Sequence, residues 1–192
     1  MNESVDLMRK IVLASQSPRR RELMQYLNVH FETVSPNIEE HMDMNLPIQE
    51  RIESIAKQKA RSVFERRPDN LVIGSDTVVV FESEVLGKPI TEEKAIEMLK
   101  RLSGKTHVVY TSVAMISSKQ KVSFTSKTEV TFYDLDNKEI EDYVKTKEPL
   151  DKAGAYTIQG GGAIFVKEIV GDFYTVMGLP IAKMYQTIKQ YE

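Results

Sequence analysis

The sequence predicts an α/β fold, because short apolar runs typical of strands alternate with segments of helical periodicity. The chain has 192 residues, enough for one domain with a sizeable core. No internal repeat, low-complexity tract or linker divides it. We therefore expect a single domain over residues 1–192, in which residues 1–9 form a loose N-terminal extension and the organised sequence begins at about Ile11.

The composition excludes several classes of protein. There are no cysteines, which excludes disulfides, thiolate metal sites and a cysteine nucleophile, and only 3 histidines, which argues against a zinc site. The formal net charge of -2 lacks the basic excess of a nucleic-acid binder. With no signal peptide and no apolar run near the roughly 18 residues of a membrane span, we expect a cytoplasmic chain without a membrane partner.

The first strand and helix predict an anion site. Ile11–Ala14 is an apolar run, and Ser17 followed by Pro18 is typical of a helix N-terminus. Such an N-terminus carries unpaired N–H groups and a partial positive charge, and here Ser15 precedes it. The pattern favours binding of a phosphate group.

Three consecutive arginines follow, and helical geometry separates them. At 100 degrees per residue, Arg20 falls on the apolar side of the helix, Arg19 lies at its edge and Arg21 points to solvent. A cation on the core side needs a negative partner, so Arg20 and Arg19 are the predicted ligand-facing pair. The alternative is a basic helix start that forms only protein salt bridges.

A second strand is expected at residues 30–34, followed by a polar acidic loop that contains Glu40. Ile48–Phe64 has helical periodicity, and Lys59 projects in the direction of Ile52, within its apolar stripe, whereas Lys57 falls on the opposite face. An ammonium group there is costly unless it is paired or extends to solvent, so Lys59 is a candidate ligand-facing lysine.

Leu71–Phe81 is the strongest predicted strand, and Asp76 lies at its centre. A carboxylate in a buried strand needs a cation, a metal or a catalytic reason, which makes Asp76 the best candidate for chemistry. The alternative is a structural aspartate that is hydrogen-bonded to backbone amides or paired with a buried base.

In the second half of the chain, the sequence predicts mostly helices and strands that support the fold rather than contribute to the site. A hairpin return places Lys88 as a further candidate phosphate ligand, and three glycines at 160–162 indicate a tight turn or a close backbone approach to a ligand. The remaining expected elements are a helix capped by Thr91 that ends at Gly104, strands at 107–116 and 122–132, a helix at 136–147, and a last helix after Pro180 whose inner face is Ile181, Met184, Tyr185 and Ile188.

Taken together, six motifs closely resemble the Maf family of nucleoside triphosphate pyrophosphatases, in the same order and over nearly the whole chain. They are LASQSPRRRE, IGSDTVV, GKPITEEKA, LSGKTHVVYTSV, EPLDKAGAYTIQGGGAIFV and GDFYTVMGLP. The IQG segment resembles the branch that acts on dTTP and UTP rather than the branch associated with 7-methyl-GTP. Two positions depart from the family pattern: Asn37 stands where an aspartate is common, and Ser112 replaces a common glycine.

The resemblance implies an ITPase-like α/β fold, with a long mixed twisted sheet flanked by helices and a central nucleotide cleft. Family members cleave the α–β phosphoanhydride of a nucleoside triphosphate with a divalent cation, Mg²⁺ or Mn²⁺, as nucleotide-pool house-cleaning enzymes. The implied product pair is a nucleoside monophosphate and pyrophosphate. The implied partner is the pyrimidine nucleotide itself, with no nucleic acid, and a homodimer is compatible with the resemblance.

The resemblance also implies roles for individual residues. Asp76 matches the proton acceptor. Arg19, Thr77 and Gln159 match positions associated with substrate choice. The polar residues that match the family's cleft lining are Ser15, Arg20, Glu40, Lys59 and Lys88. Glu40 and Asp76 are the expected metal ligands, and the sequence leaves open whether Asp76 acts as a base or holds the metal.

Two alternatives belong to other functional classes. One is a nucleotide-binding regulator of cell division or septum formation in which hydrolysis is incidental. A sensor of this kind needs cations and base contacts but no buried carboxylate near the phosphates, so Asp76 discriminates between them. The other is an RNA-binding groove, which the net charge and the lack of an aromatic stacking motif argue against.

Overall fold

The computed structural model describes residues 10–190, so the extension expected at residues 1–9 lies outside the described residues. The strands are β1 (Ile11–Ala14), β2 (Phe31–Val34), β3 (Leu71–Phe81), β4 (Glu84–Leu86), β5 (Thr106–Ile116), β6 (Lys121–Phe132) and β7 (Val166–Val170). The α-helices are α1 (Pro18–Gln25), α2 (Ile48–Phe64), α3 (Glu92–Leu102), α4 (Asn137–Lys145), α5 (Phe173–Met177) and α6 (Ile181–Ile188). Short 3-10 turns lie at Glu148–Asp151, Ala153–Ala155 and Gly161–Phe165.

Most predicted elements are confirmed, and their local chemistry explains where they begin. The Ser17 hydroxyl accepts the N–H of Arg20 at 3.4 Å at the start of α1. Thr91 caps α3, and Asp136 forms a capping box at α4. The sequence did not predict β7, α5 or the 3-10 turns.

The sheet confirms the predicted mixed α/β architecture. Its strand order is β2-β1-β3-β5-β6-β7, with β4 paired to β3. β1 is parallel to both β2 and β3, whereas β4 is antiparallel to β3 and β7 is antiparallel to β6. No helix within residues 10–190 is both long enough and apolar enough to cross a membrane.

The chain forms two compact units. The first contains the described residues up to Asp76, residues 111–125 and the described residues from Gly178 onward. The second contains residues 77–110 and 126–177. β3, β5 and β6 contribute residues to both units.

The core of the first unit lies between α2 and the parallel strands. Val12 and Ala14 of β1 pack with Ala56, Ala60 and other small apolar residues. Gly74 makes this close approach feasible, because a Cβ at this position would lie 2.5 Å from the Ala56 carbonyl oxygen and 2.6 Å from the Ala60 nitrogen. A side chain at position 74 would therefore push α2 away from the sheet.

Helix α6 belongs to the same unit and corrects one prediction. Ile181, Met184 and Ile188 are buried as expected, but Tyr185 is 38% exposed. The Tyr185 ring lies beneath the Lys189 ammonium group, 5.4 Å from the ring centroid, on the outer edge of the helix. The assignment of Tyr185 to the inner face was wrong because the stripe that packs inward is narrower than the apolar sequence pattern.

The second unit has an aromatic core. Phe132 forms edge-to-face contacts with His107 and Tyr156, with ring centroids 4.9 Å apart in both pairs. The His107 Nε2 atom lies 2.8 Å from the Tyr156 hydroxyl, while His107 Nδ1 is buried and, within the described chain, has no hydrogen-bond partner. Burial lowers the pKa of His107 to about 4.

Candidate active site

A cavity of about 400 Å³ opens in the first unit, where β1 and β2 end. The chain runs from β1 through α1 to β2 on one side of β1, and then through α2 to β3 on the other side. Ligands of α/β sheets bind outside the carboxyl ends of the strands at such a reversal of strand order. The lining residues are Ala14, Ser15, Gln16, Ser17, Arg20, Ser35, Pro36, Asn37, Ile38, Glu40 and Lys59.

The N-terminus of α1 forms one wall of this cavity. The Ser15 hydroxyl accepts the Ser17 N–H at 3.1 Å, which fixes the turn from β1 into α1. The Arg20 Nε–H donates to the Gly178 carbonyl oxygen at 2.9 Å and so holds the guanidinium at the cavity. The positive end of the α1 dipole and the Arg20 guanidinium therefore lie together where an anion is predicted to bind.

Burial lowers the pKa of Arg20, and the carboxylates of Asp76 and Glu40 oppose this effect. An arginine stays charged under such conditions, so this cation is available to an anionic ligand. Arg21 is exposed, as predicted. Arg19 is half-buried but is not part of the cavity lining.

Lys59 connects two carboxylates. Its Nζ atom lies 2.6 Å from Asp76 Oδ1 and 2.8 Å from Glu40 Oε1. The side chains of Lys59 and Asp76 are only 12% and 14% exposed, whereas that of Glu40 is 48% exposed. The predicted inward orientation of Lys59 is confirmed, and the aspartate in the strand has the buried cationic partner that its position demanded.

The acidic loop is tied to α2 on both sides of Lys59. The Gln58 side chain accepts the His41 N–H at 3.1 Å and donates to the His41 carbonyl at 2.7 Å. The Ser62 hydroxyl donates to the Pro36 carbonyl at 2.8 Å. These bonds place Glu40 beside Lys59 although the loop has no regular secondary structure.

Asn37, which stands where the family commonly has an aspartate, is part of the cavity lining. Asn37 lines the cavity with a φ of 42 degrees, a left-handed conformation that asparagine tolerates. Its Oδ1 accepts the Ser35 hydroxyl at 2.5 Å, and the Gln16 amide donates to the same hydroxyl at 2.7 Å. The loop after β2 is therefore joined to the residue before Ser17.

The first unit thus brings together Ser15, Arg20, Glu40, Lys59 and Asp76. Arg19 belongs to the same unit but is not part of the cavity lining. The remaining three predicted residues belong to the second unit, where Thr77 is half-buried and Lys88 and Gln159 are exposed. Gln159 directly precedes the predicted glycine turn.

Two residues of the first unit were not predicted as part of the site. The Ser75 hydroxyl, fully buried, donates to the Gly178 carbonyl at 3.1 Å, the same oxygen that accepts from Arg20. Gly178 has a φ of 103 degrees, which disfavours any other residue. In the sequence, only Ser75 could have been noticed, as a serine next to Asp76 in a predicted buried strand. The role of Gly178 could not be predicted, because every residue has the backbone carbonyl that accepts these hydrogen bonds.

The carboxylates of Glu40 and Asp76 suit a hard divalent cation. Both contact one ammonium group, so they lie close together, and Mg²⁺ commonly binds through one or two carboxylates together with substrate phosphates. Among residues 10–190 no group of three or more His, Cys, Asp or Glu side chains is arranged to hold a metal ion. The donor set therefore fits a cation that also needs ligands from a substrate.

Comparison with known proteins agrees with this geometry. The family model "Maf: Maf-like protein" matches residues 10–191. A dTTP/UTP pyrophosphatase of Bacillus cereus (strain B4264) is 51% identical over 185 residues, covering 96% of this chain and 97% of that protein. A dTTP/UTP pyrophosphatase of Bacillus mycoides (strain KBAB4) matches with the same identity and coverage.

Among solved structures, the Staphylococcus aureus Ham1 protein aligns with a TM-score of 0.55 at 12% identity, over 95% of this chain and all of that one. This likeness supports the predicted ITPase-like fold. The family match spans all of the described residues, and the relatives named above are 51% identical to this chain, so the chain belongs to the Maf family.

Proposed function

We propose that this protein is a nucleoside triphosphate pyrophosphatase that hydrolyses dTTP and UTP to the nucleoside monophosphate and pyrophosphate, acting in the cytoplasm on the nucleotide pool. The relatives named dTTP/UTP pyrophosphatase support the reaction. The observation that carries the proposal is the Glu40–Lys59–Asp76 cluster beside the N-terminus of α1.

The cations of the first unit bind the triphosphate. A nucleoside triphosphate carries about four negative charges, which must be offset before water can approach phosphorus. Arg20 is held at the cavity by its bond to Gly178, and Lys59 of α2 also lines the cavity. The positive end of the α1 dipole and the Ser15 hydroxyl complete the phosphate site. Arg19 and Lys88 are further cations that we assign to the triphosphate from the sequence motifs.

Asp76 assists the attacking water. The water oxygen forms a bond to the α-phosphorus, the bond from that phosphorus to the bridging oxygen breaks, and pyrophosphate leaves. Lys59 holds Oδ1 of Asp76 in place at 2.6 Å, so the second carboxylate oxygen is the one we assign to the proton. This arrangement uses the ion pair to orient the base.

In the alternative role for Asp76, as a metal ligand rather than the base, it and Glu40 would together hold Mg²⁺ or Mn²⁺. When bound, the cation supplies charge neutralisation at the phosphates and lowers the pKa of a bound water. The contribution of the protein is to keep two carboxylates adjacent on β3 and on the loop anchored by Gln58 and Ser62.

Gln159 and Thr77 select the pyrimidine in this proposal. A side-chain amide offers a donor and an acceptor, which match the N–H and carbonyl groups along one edge of uracil or thymine. A purine would leave a polar group unpaired, at a cost of about 1 to 3 kcal/mol. We expect Gln159→Ala to reduce the preference for UTP over ATP more than it reduces the best rate, as measured by kcat/KM for both substrates.

A panel of canonical triphosphates tests the proposal. Each is incubated with Mg²⁺ or Mn²⁺, with and without added inorganic pyrophosphatase, and orthophosphate is measured. We expect orthophosphate only when pyrophosphatase is present, with dTTP and UTP as the best substrates. Orthophosphate without the coupling enzyme would indicate cleavage at the γ-phosphate, and a preference for a purine would refute the base assignment.

A further inference from the structure

The segment that carries Gln159 is braced on both sides by one pair of side chains in the second unit. The Tyr143 hydroxyl accepts the Thr157 N–H at 3.2 Å and donates to Glu148 Oε1 at 2.8 Å. Glu148 Oε2 accepts the Gly161 N–H at 3.2 Å. Two residues before Gln159 and two residues after it, the backbone is therefore joined to the same Tyr143–Glu148 pair.

The glycines of this segment are needed for that packing. A Cβ at Gly160 would lie 2.4 Å from Glu148 Oε1, and a Cβ at Gly161 would lie 3.0 Å from the Tyr143 ring. A Cβ at Gly162 would lie 2.9 Å from the Thr157 carbonyl oxygen. Because these three residues lack a Cβ, the backbone packs directly against the Tyr143 ring and the Glu148 carboxylate.

The two side chains themselves are firmly placed. Tyr143 is buried on α4, and its ring packs edge-to-face on Phe165 at 5.1 Å between centroids. Glu148 is half-buried and begins the 3-10 turn Glu148–Asp151. Gln159, in contrast, is exposed. The Tyr143–Glu148 pair is therefore fixed by packing, whereas the Gln159 side chain extends to solvent from the backbone that this pair holds.

We infer that Tyr143 and Glu148 are positioning residues for base selection, because they fix the backbone from which the Gln159 amide reaches the pyrimidine. The inference rests on the proposed role of Gln159. Two hydrogen bonds to the edge of a base form only when the Gln159 amide lies in one position and orientation relative to that edge. A backbone that is already ordered before binding avoids the entropy cost of ordering this segment when the nucleotide binds. Neither side chain needs to touch the nucleotide.

The test is a double-mutant cycle between Tyr143→Phe and Gln159→Ala, with kcat/KM measured for UTP and ATP. Tyr143→Phe keeps the ring and removes only the hydroxyl that joins Thr157 to Glu148. We expect it to lower the UTP-to-ATP ratio about 10-fold, the value of one well-formed hydrogen bond, through a raised KM for UTP. Combined with Gln159→Ala, it should lower the ratio no further. Glu141→Gln, on the exposed face of α4, is the matched control and should leave the ratio unchanged.

A second variant, Gly160→Ala, keeps both Tyr143 and Glu148 and displaces the Glu148 carboxylate with a new methyl group. It should reproduce the loss of selectivity, and it decides the question if Tyr143→Phe does not fold. Tyr143→Phe that leaves the ratio intact, or lowers it equally with and without Gln159, would overturn the inference. A wild type without preference for UTP, or Gln159→Ala without effect on the ratio, would instead overturn the proposed function.

Discussion

Replacing Lys59 by methionine removes an ammonium group while keeping most of the side-chain length. Two carboxylates then lose their shared cation, one of them only 14% exposed. Breaking a fully buried ion pair costs about 3 to 5 kcal/mol, and the exposure of Glu40 reduces this, so we expect a loss of about 1 to 3 kcal/mol in the free energy of unfolding. Urea denaturation measures this loss.

If Lys59 binds the substrate as proposed, the same substitution also removes one charged hydrogen bond to the triphosphate. Such a bond contributes about 1.5 to 3 kcal/mol, which corresponds to a loss of about 10- to 100-fold in kcat/KM. Steady-state kinetics with UTP, at a temperature where the variant remains folded, separates this effect from the loss of stability.

Lys57→Met is the matched control, because it lies two residues away on the same helix. Its ammonium group pairs with Glu53 at 2.6 Å, but the lysine side chain is 54% exposed. Exposed pairs of this kind contribute about 0.3 to 0.5 kcal/mol, so both stability and kcat/KM should stay close to wild type. Equal losses of kcat/KM in the two variants would refute the assignment of Lys59 to the site.

Three further predictions follow from the same structure. Asp76→Asn should lower turnover at least about 100-fold while calorimetric nucleotide affinity is kept or increased, and near wild-type turnover would contradict the catalytic role. Gly74→Ala should cost about 1 to 3 kcal/mol in urea denaturation, because its methyl group meets the backbone of α2, whereas Gly87→Ala, with nothing within 4 Å of its Cβ, should cost little. His107 is neutral in the folded protein, where its pKa is about 4, below the value of about 6.5 in the unfolded chain. Its contribution to the free energy of unfolding is therefore complete above pH 6.5 and is lost as the pH falls toward 4, by about 3 kcal/mol at most. Thermal unfolding from pH 7.5 to 5 should show this loss, and His107→Gln should show less of it.

The sequence alone predicted those parts of the fold and site that local chemistry determines. The bounds of α2 and β3 follow from periodicity and β-branched runs, and the phase of α2 correctly placed Lys59 inside and Lys57 outside. The difference between a core-facing and a solvent-facing lysine was visible because helical geometry is regular.

Non-local pairings could not be predicted in this way. The partner of Lys59 on β3 is 17 residues away, and the carbonyl of Gly178, which holds Arg20, is 158 residues away. The placement of Glu40 depends on Gln58, whose amide bonds to an irregular loop. The strand β7 was missed because none of its residues is fully buried, so it lacks the apolar run that marked β1, and its position is set by pairing with β6.

The charges around the cavity cancel, since Arg20 and Lys59 are matched by Glu40 and Asp76. Positive groups set beside negative ones produce a field that fades within a few ångströms, unlike the long-range field of a basic patch, which steers polyanions from a distance. An anion is then recognised only once it enters the cavity and competes for the cations. A site built in this way can take a small triphosphate while giving the surface of the protein no general attraction for nucleic acids.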